Sequence, residues 1–257
     1  MFSFFIKKSF FDGWDNILSL LLYNFINIAL IFALYFGITF LGIIFSLGLI
    51  IIILTLALNS IYQAIISIIM KGYVDYKRVD KESFKTSLFK IKGHIISHFI
   101  IQLGAITLVT IVLPFYLSFK TIFFYVISIL FIWLLVFTMM ALFYFYPLAL
   151  IMDKDRPLKS LKKSFVVVVD NLFFTLGFGV YHLVNFIISL FFATLIPGVS
   201  GVALSRHVAM KILMKKYDFL EEFPEQRKEL DWYELLYEED QLVGKRTFKG
   251  TIFPWKE

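Results

Sequence analysis

Residues 16–70 read NILSLLLYNFINIALIFALYFGITFLGIIFSLGLIIIILTLALNSIYQAIISIIM and contain no charged side chain. One helical crossing of a bilayer needs about 20 apolar residues, so this stretch is long enough for two. The pattern predicts spans at residues 17–40 and 43–70, with Gly42 in a short uncharged turn between them. A hairpin of this kind is typical of a multi-pass membrane protein.

The composition of the whole chain fits a membrane protein. Of its 257 residues, 60% are hydrophobic and only 17% are charged, whereas soluble domains have roughly half and a quarter. A single core cannot bury such an excess of apolar side chains, which leaves lipid as their solvent. The absence of cysteine excludes disulfides, thiolate metal sites and cysteine nucleophiles.

Further uncharged stretches predict the remaining spans. Residues 93–119 and 121–152 form a third and a fourth span, which are separated only by Lys120. A fifth span is expected at residues 171–192, before a Pro-Gly pair that breaks the helical pattern.

The segment after this break decides between five and six spans. A short sixth span at residues 197–213 brings the following positive residues back to the cytoplasm, as the inside-positive bias of membrane proteins requires. These residues are Arg206, Lys211, Lys215 and Lys216. Six spans are therefore expected, with five as the open alternative, and both termini are expected on the cytoplasmic side of the inner membrane. The same bias explains the net charge of +6 without a nucleic-acid partner.

Two basic segments, residues 71–92 and 153–170, join spans on the predicted cytoplasmic side. Each contains an apolar stripe at helical spacing, which indicates an amphipathic helix on the membrane surface. The stripes are Phe84, Leu88, Ile91 and Ile95 in the first segment and Leu158, Leu161, Phe165 and Val168 in the second. The expected fold class is all-α, a polytopic transmembrane helical bundle with two cytoplasmic amphipathic helices and a short helical C-terminal tail.

The charge pattern divides the chain into three parts. Residues 1–15 mix phenylalanines with lysines and predict an interfacial helix. Residues 16–214 form the transmembrane domain, and residues 215–257 form a charged cytoplasmic tail with a helix predicted at residues 224–242. A tail of this composition is suited to a protein partner, and the lipid bilayer is the other partner expected.

Four polar side chains inside the predicted spans are the candidate intramembrane site. Asn24 and Asn27 share a face of the first span, and His182 and Asn185 share a face of the fifth. Polar groups are costly in lipid, so these side chains are expected to point into the bundle. Interhelical hydrogen bonding is the favoured interpretation, and a polar patch on a substrate or proton path is the alternative.

No motif for catalysis, metal binding or cofactor binding occurs in the sequence. His94 and His98 stand four residues apart on one helical face, but two imidazoles do not complete a metal site. Hydrogen bonding near the membrane surface is the favoured role of this pair. The sequence therefore predicts a protein without enzymatic activity, cofactor or metal.

Three segments resemble the YesL-like (DUF624) family of bacterial membrane proteins. They are FFDGWDNILSLLLYN at residues 10–24, KGYVDYKRVDKESFKT at residues 71–86 and YPLALIMD at residues 146–153; the IPGVSG turn at residues 196–201 also fits. The resemblance extends over residues 8–216, and the long charged tail departs from it. It implies six spans and an association with carbohydrate uptake, and it implies no functional residues.

Two functions of different kinds fit these features. The first is a non-enzymatic accessory component of a membrane system such as carbohydrate uptake, which binds a protein partner through the charged tail. The second is a small-molecule permease or carrier, for which Asn24 and Asn27 are expected to face a shared cavity with His182 and Asn185.

Overall fold

The computed structural model of the protein describes residues 1–152, 154–228, 230–244 and 246, and this part of the chain folds as an all-α bundle. The helices are α1 (Phe2–Asp15), α2 (Ile17–Leu41), α3 (Phe45–Val74), α4 (Lys81–Lys90), α5 (Lys92–Thr107), α6 (Leu113–Ser118), α7 (Ile122–Ile151), α8 (Pro157–Asp170), α9 (Leu172–Phe191), α10 (Gly198–Glu222), α11 (Trp232–Leu235) and α12 (Tyr237–Val243). The predicted fold class is confirmed.

Five helical stretches of the described chain are long and apolar enough to cross a membrane, as a multi-pass membrane protein requires. They are Ile17–Leu41, Phe45–Val74, Lys92–Ser118, Ile122–Ile151 and Leu172–Phe191. The third stretch joins α5 to α6 through a π-helical turn at Leu108–Val112. Pro114 follows this turn. Because proline lacks the N–H that an α-helix uses, the wider π turn accommodates it.

Two helical hairpins, α2–α3 and α5/α6–α7, define the ends of the bundle. Their turns, at residues 42–44 and 119–121, lie at what we call the turn end. The opposite end, which we call the basic end, carries the loops before α4 and α8. There, the Lys71 ammonium of α3 donates a hydrogen bond to the Leu150 carbonyl of α7 at 2.8 Å.

The packed core lies in the half of the bundle nearest the basic end. Its large buried side chains come from α1, α3, α7, α9 and α10. They include Phe5, Met70, Tyr144, Phe178 and Met210. Toward the turn end most large apolar side chains are exposed, as on Phe123, where 69% of the surface is accessible. Lipid is the solvent of these side chains.

The turn between α9 and α10 lies inside the bundle, far from the turn end. The Asn24 amide of α2 donates hydrogen bonds to the carbonyls of Leu195 (2.8 Å) and Pro197 (2.9 Å). The same side chain accepts a bond from the backbone N–H of Ser200 at 3.0 Å. At 1.5 Å per residue, Asn24 stands about 26 Å before the last residue of α2. Helices α9 and α10 therefore form a re-entrant hairpin, which turns within the bundle.

Two features of this turn require a glycine at position 198. The φ of Gly198 is 59°, in the left-handed region that favours glycine. A Cβ at this position would overlap the Asn24 amide. The Gly198 N–H donates to Ser189 Oγ at 3.0 Å, which satisfies a buried backbone group of the turn.

Helix α10 stands where the sixth segment was predicted at residues 197–213, but it is longer and is enclosed by other helices. It ends at Glu222 and packs against α1, α2, α3, α7 and α9. It is not one of the five apolar stretches, because it carries charged residues such as Arg206 and Lys211. Neighbouring helices cover its buried side chains, so the pattern of a lipid-facing span does not describe it.

The two predicted amphipathic helices are present at the basic end as α4 and α8. Asp80 caps α4 by accepting a hydrogen bond from the Ser83 N–H at 2.6 Å, and Pro157 occupies the first turn of α8. The apolar stripe of α4 packs in one cluster with Ile68 and Phe145. These helices therefore pack against the ends of α3 and α7.

The two terminal segments meet at the basic end. Helix α1 buries Phe5 and Phe11 in the bundle, and α12 returns to contact α1. The helix predicted at residues 224–242 is interrupted, since a 3₁₀ turn at Pro224–Lys228 precedes α11 and α12. Residues 247–257 of the predicted tail lie outside the described residues.

We expect Asn24→Leu to destabilise the re-entrant hairpin. The substitution leaves the Leu195 carbonyl and the Ser200 N–H without partners, whereas the Pro197 carbonyl still accepts a bond from the Gly201 N–H. Because each unsatisfied buried group costs about 1–3 kcal/mol, we expect the free energy of unfolding to fall by about 2–4 kcal/mol in mixed SDS–detergent micelles. The matched control is Asn27→Leu, about one turn further along α2. A loss in the control as large as that of Asn24→Leu would contradict a special role of Asn24 in the turn.

Candidate functional site

A cavity of about 400 Å³ lies between α2, α3, α9 and α10. Its polar lining includes Asn27, Asn59, Gln63, Thr194 and Arg206. The apolar lining consists of Leu30, Ile31, Leu34, Leu56, Phe186, Val199 and Val202. The cavity thus combines one charged group with a long apolar wall.

Arg206 is the one charged side chain among the residues that line this cavity. Its Nε atom is buried without a hydrogen-bond partner, and its guanidinium lies 5.5 Å from the centre of the Phe143 ring. Neither residues 16–74 nor residues 171–217 contain an Asp or Glu. Holding an arginine in an apolar interior costs at least about 2.5–3.5 kcal/mol. Arg206 therefore lowers the stability of the bundle unless it has a role that its charge serves.

Three histidines lie close enough to Arg206 for electrostatic interaction, and each forms a hydrogen bond with a serine of a neighbouring helix. The pairs are His207 with Ser67 (2.7 Å), His182 with Ser205 (3.2 Å) and His98 with Ser60 (3.2 Å). These bonds fix the positions of the imidazoles. None of them supplies a negative charge, so they do not neutralise the guanidinium.

The four side chains of the sequence-based site occupy different places. Asn24 binds the α9–α10 turn, and Asn27 lines the cavity that contains Arg206. His182 pairs with a serine of α10, and Asn185 lines a separate cavity of about 230 Å³ beside α1. The shared cavity expected for a permease is therefore not formed by these four residues. Asn24 and His182 make the interhelical hydrogen bonds that were favoured.

His94 and His98 also form hydrogen bonds across helix interfaces. His94 Nε2 lies 2.9 Å from Ser160 Oγ of α8, and His98 Nδ1 lies 3.2 Å from Ser60 Oγ of α3. The pair therefore fastens α5 to two neighbouring helices. The hydrogen-bonding role predicted for it is confirmed.

Sequence reasoning did not recognise Arg206 as an interior residue. It was grouped with the cytoplasmic lysines that follow the sixth segment, whereas the structure places it in the cavity of the bundle. One signal was available, since Arg206 stands apart from the positive cluster that begins at Lys211. Its burial depends on where the α9–α10 hairpin turns, and no local pattern reveals that depth.

A buried ion-pair network joins α1, α10 and α12 at the basic end. The Lys8 side chain is 1% exposed, and its Nζ lies 3.1 Å from Asp12 Oδ2 and 3.6 Å from Glu239 Oε2. Lys211 Nζ lies 2.9 Å from Glu239 Oε1. The Tyr76 hydroxyl accepts a hydrogen bond from Lys8 and donates one to Asp12, both at 3.0 Å. Each buried charge is thus paired, and α12 is held on the bundle.

Three more exposed ion pairs connect the terminal segments. They are Lys7 with Asp240 (2.8 Å), Lys215 with Glu238 (3.1 Å) and Arg246 with Asp15 (2.8 Å). Each exposed pair is worth about 0.2–1 kcal/mol, so they add less than the buried network. Sequence analysis did not foresee this docking, because lysines beside phenylalanines fit a helix at the lipid head groups equally well.

An acidic groove of about 920 Å³ lies between the end of α10 and the helices α11 and α12. Among its lining residues are Asp218, Glu222, Asp231, Glu234 and Glu238, together with Lys215 as a positive charge. Its aromatic lining consists of Phe219, Phe223, Tyr233 and Tyr237. The groove combines negative charge with accessible aromatic surface, in a chain whose net charge is +6.

Comparison of the chain with protein-family models, with curated proteins and with solved structures finds no match. The function must therefore be argued from the residues and the geometry of this chain. The YesL-like resemblance stays a prediction.

We expect Lys8→Met to release α12 from the bundle. The substitution leaves the Asp12 carboxylate buried without its cation, and breaking a buried pair in this way costs about 3–5 kcal/mol. Hydrogen exchange at the α12 amides measures the release. The double variant Lys8→Met/Asp12→Leu removes both charges and is the control, in which part of the lost stability returns.

The loss caused by Lys8→Met is expected to depend on pH with a defined sign. Burial raises the pKa of Asp12 above its ordinary value, and the neighbouring Lys8 opposes this rise. Without Lys8 the pKa rises further. The cost of the charged carboxylate is then present at high pH and disappears as the pH is lowered through the folded-state pKa. An equal loss at high and at low pH would show that the Asp12 charge is not the cause.

Proposed function

We propose that this protein is a non-enzymatic accessory component of a membrane system and that it binds a basic, amphipathic segment of a protein partner in the acidic groove. The single observation that carries the proposal is the negative charge of the groove. Among the described residues that line it, carboxylates predominate and one lysine accompanies them, in a protein that is basic overall.

Charge complementarity selects the chemistry of the partner. A positively charged segment is attracted to the groove and oriented by it, whereas anionic lipid head groups are repelled. The aromatic lining adds apolar contact, and buried aromatic side chains contribute strongly at protein interfaces. Tyr233, with 76% of its surface exposed, is available for such contact. The occupant is therefore a protein segment that combines lysine or arginine with apolar residues.

The buried network at Lys8 supports a groove that exists before the partner binds. It fixes α12, which forms one side of the groove, to α1 and α10. A binding surface that is already ordered loses less conformational entropy when the partner arrives. Deleting the whole tail would also remove Glu239, which pairs with the buried Lys8. Point substitutions in the groove leave this pair intact and are therefore the cleaner test.

The basic loops support a cytoplasmic location for this end of the protein, because positive residues concentrate on that side of a membrane. The proposal places both terminal segments, which pack on each other, in the cytoplasm of a bacterium and the spans in its inner membrane. The YesL-like segments support carbohydrate uptake as the system that this protein assists.

The carrier alternative has one supporting observation, the cavity that contains Arg206. Of the four residues of the sequence-based site, Asn27 lines this cavity and the other three do not. A carrier would need to bind its substrate in this cavity, which makes the ligand of Arg206 the decisive question for this alternative.

The proposal is tested with a photo-crosslinking amino acid at Tyr233 in the native host. We expect an adduct with one protein partner whose cross-linked peptide is basic. The double variant Glu222→Gln/Glu234→Gln is expected to reduce the adduct about fivefold, since two exposed charge pairs of about 0.5 kcal/mol each are lost.

Two controls accompany this experiment. A cross-linker at Phe123, on the lipid-exposed surface near the turn end, should not give the same adduct. Glu82→Gln, which neutralises an exposed carboxylate of α4 outside the groove, should leave the adduct unchanged. An adduct at Tyr233 that is undiminished in the double variant would overturn the proposal. The absence of any protein adduct at Tyr233 in the otherwise unchanged protein would overturn it as well.

A further inference from the structure

Arg206 is a half-buried cation without a counter-charge in the described part of the chain. Its guanidinium stays protonated at physiological pH and carries five N–H donors. The buried Nε–H has no hydrogen-bond partner, and the Phe143 ring at 5.5 Å supplies only a weak attraction. Charges in protein interiors are paired, so the described residues leave this guanidinium without the anion that it needs.

Other polar groups line the cavity together with Arg206. Asn27 and Gln63 line the same cavity, and neither side chain forms a hydrogen bond with another described residue. The Thr194 hydroxyl, which also lines the cavity, is buried without a partner. These groups can donate hydrogen bonds to the oxygen atoms of an anion that binds in the cavity.

The cavity opens toward lipid between α2 and α9. Ile31 of α2 and Phe186 of α9 line the cavity and are 47% and 58% exposed. Lipid is the solvent of these exposed surfaces, so a ligand reaches the cavity from within the bilayer. Most of the lining residues near this opening are aliphatic and suit a hydrocarbon chain.

We infer that this cavity binds an amphipathic anion, whose carboxylate or phosphate head group pairs with Arg206 and whose hydrocarbon chain lies along the apolar wall. A guanidinium presents two parallel N–H groups to two oxygens of either head group, so both chemistries fit. The site is separate from the acidic groove. It goes beyond the proposed partner binding, and either can hold without the other.

The test is thermal unfolding of the purified full-length protein in an uncharged maltoside detergent. The probes are oleate, lysophosphatidate, oleyl alcohol and inorganic phosphate. A ligand that binds only the folded state raises Tm. We expect oleate or lysophosphatidate to raise Tm by several degrees, whereas oleyl alcohol and inorganic phosphate leave it unchanged.

Variants of Arg206 separate a binding role from a structural one. Arg206→Gln removes an unpaired charge from the interior of the bundle, so we expect an unliganded Tm equal to or above that of the wild type and no response to oleate or lysophosphatidate. Arg206→Lys keeps the charge without the planar fork, and we expect it to retain a reduced response. Arg156→Gln, at an exposed position in the basic end, is the matched control and should respond like the wild type.

Each contrary result identifies what is wrong. An equal rise with oleyl alcohol would overturn the anionic head group. A rise with inorganic phosphate alone would point to a small soluble anion and overturn the hydrocarbon chain. A full response in Arg206→Gln, or a loss of response in Arg156→Gln, would show that amphiphiles bind elsewhere on the protein and would overturn the site.

Discussion

The Asn24 amide holds the turn between α9 and α10 inside the bundle through hydrogen bonds to Leu195, Pro197 and Ser200. Water is scarce at this depth, so the protein itself must satisfy the carbonyl and N–H groups of an irregular turn. One side chain with an amide can serve both kinds of group at once. This is what permits α9 and α10 to form a re-entrant hairpin, and it determines how far α10 enters the bundle.

The position of this hairpin explains the other main features of the fold. Because α10 begins deep in the bundle, α2 and α3 continue beyond the turn, and the cavity forms among these helices with Arg206 in its wall. Because α10 runs back to the basic end, its C-terminal extension meets α1, where the Lys8 network joins them. The ligand site and the acidic groove are therefore consequences of one topology at two different places.

The features that the sequence predicts well are local ones. The spans follow from charge-free stretches such as residues 16–70, and α4 and α8 follow from their apolar stripes. The depth of the hairpin depends on a bond between Asn24 and Leu195, which are separated by 171 residues, and no pattern within a single helix contains that information. Arg206 therefore resembled a cytoplasmic residue, and Lys8 resembled a residue at the lipid head groups.

The re-entrant hairpin is tested most directly by disulfide cross-linking, because the natural chain contains no cysteine. The Ser200 hydroxyl donates to the Leu20 carbonyl at 3.0 Å, so the two positions are adjacent. The pair Leu20→Cys/Ser200→Cys should form an intramolecular disulfide under mild oxidation, whereas Ile38→Cys/Ser200→Cys should not. Efficient cross-linking of the second pair and none of the first would show that the hairpin crosses the bundle completely, which would contradict a turn held at the depth of Asn24.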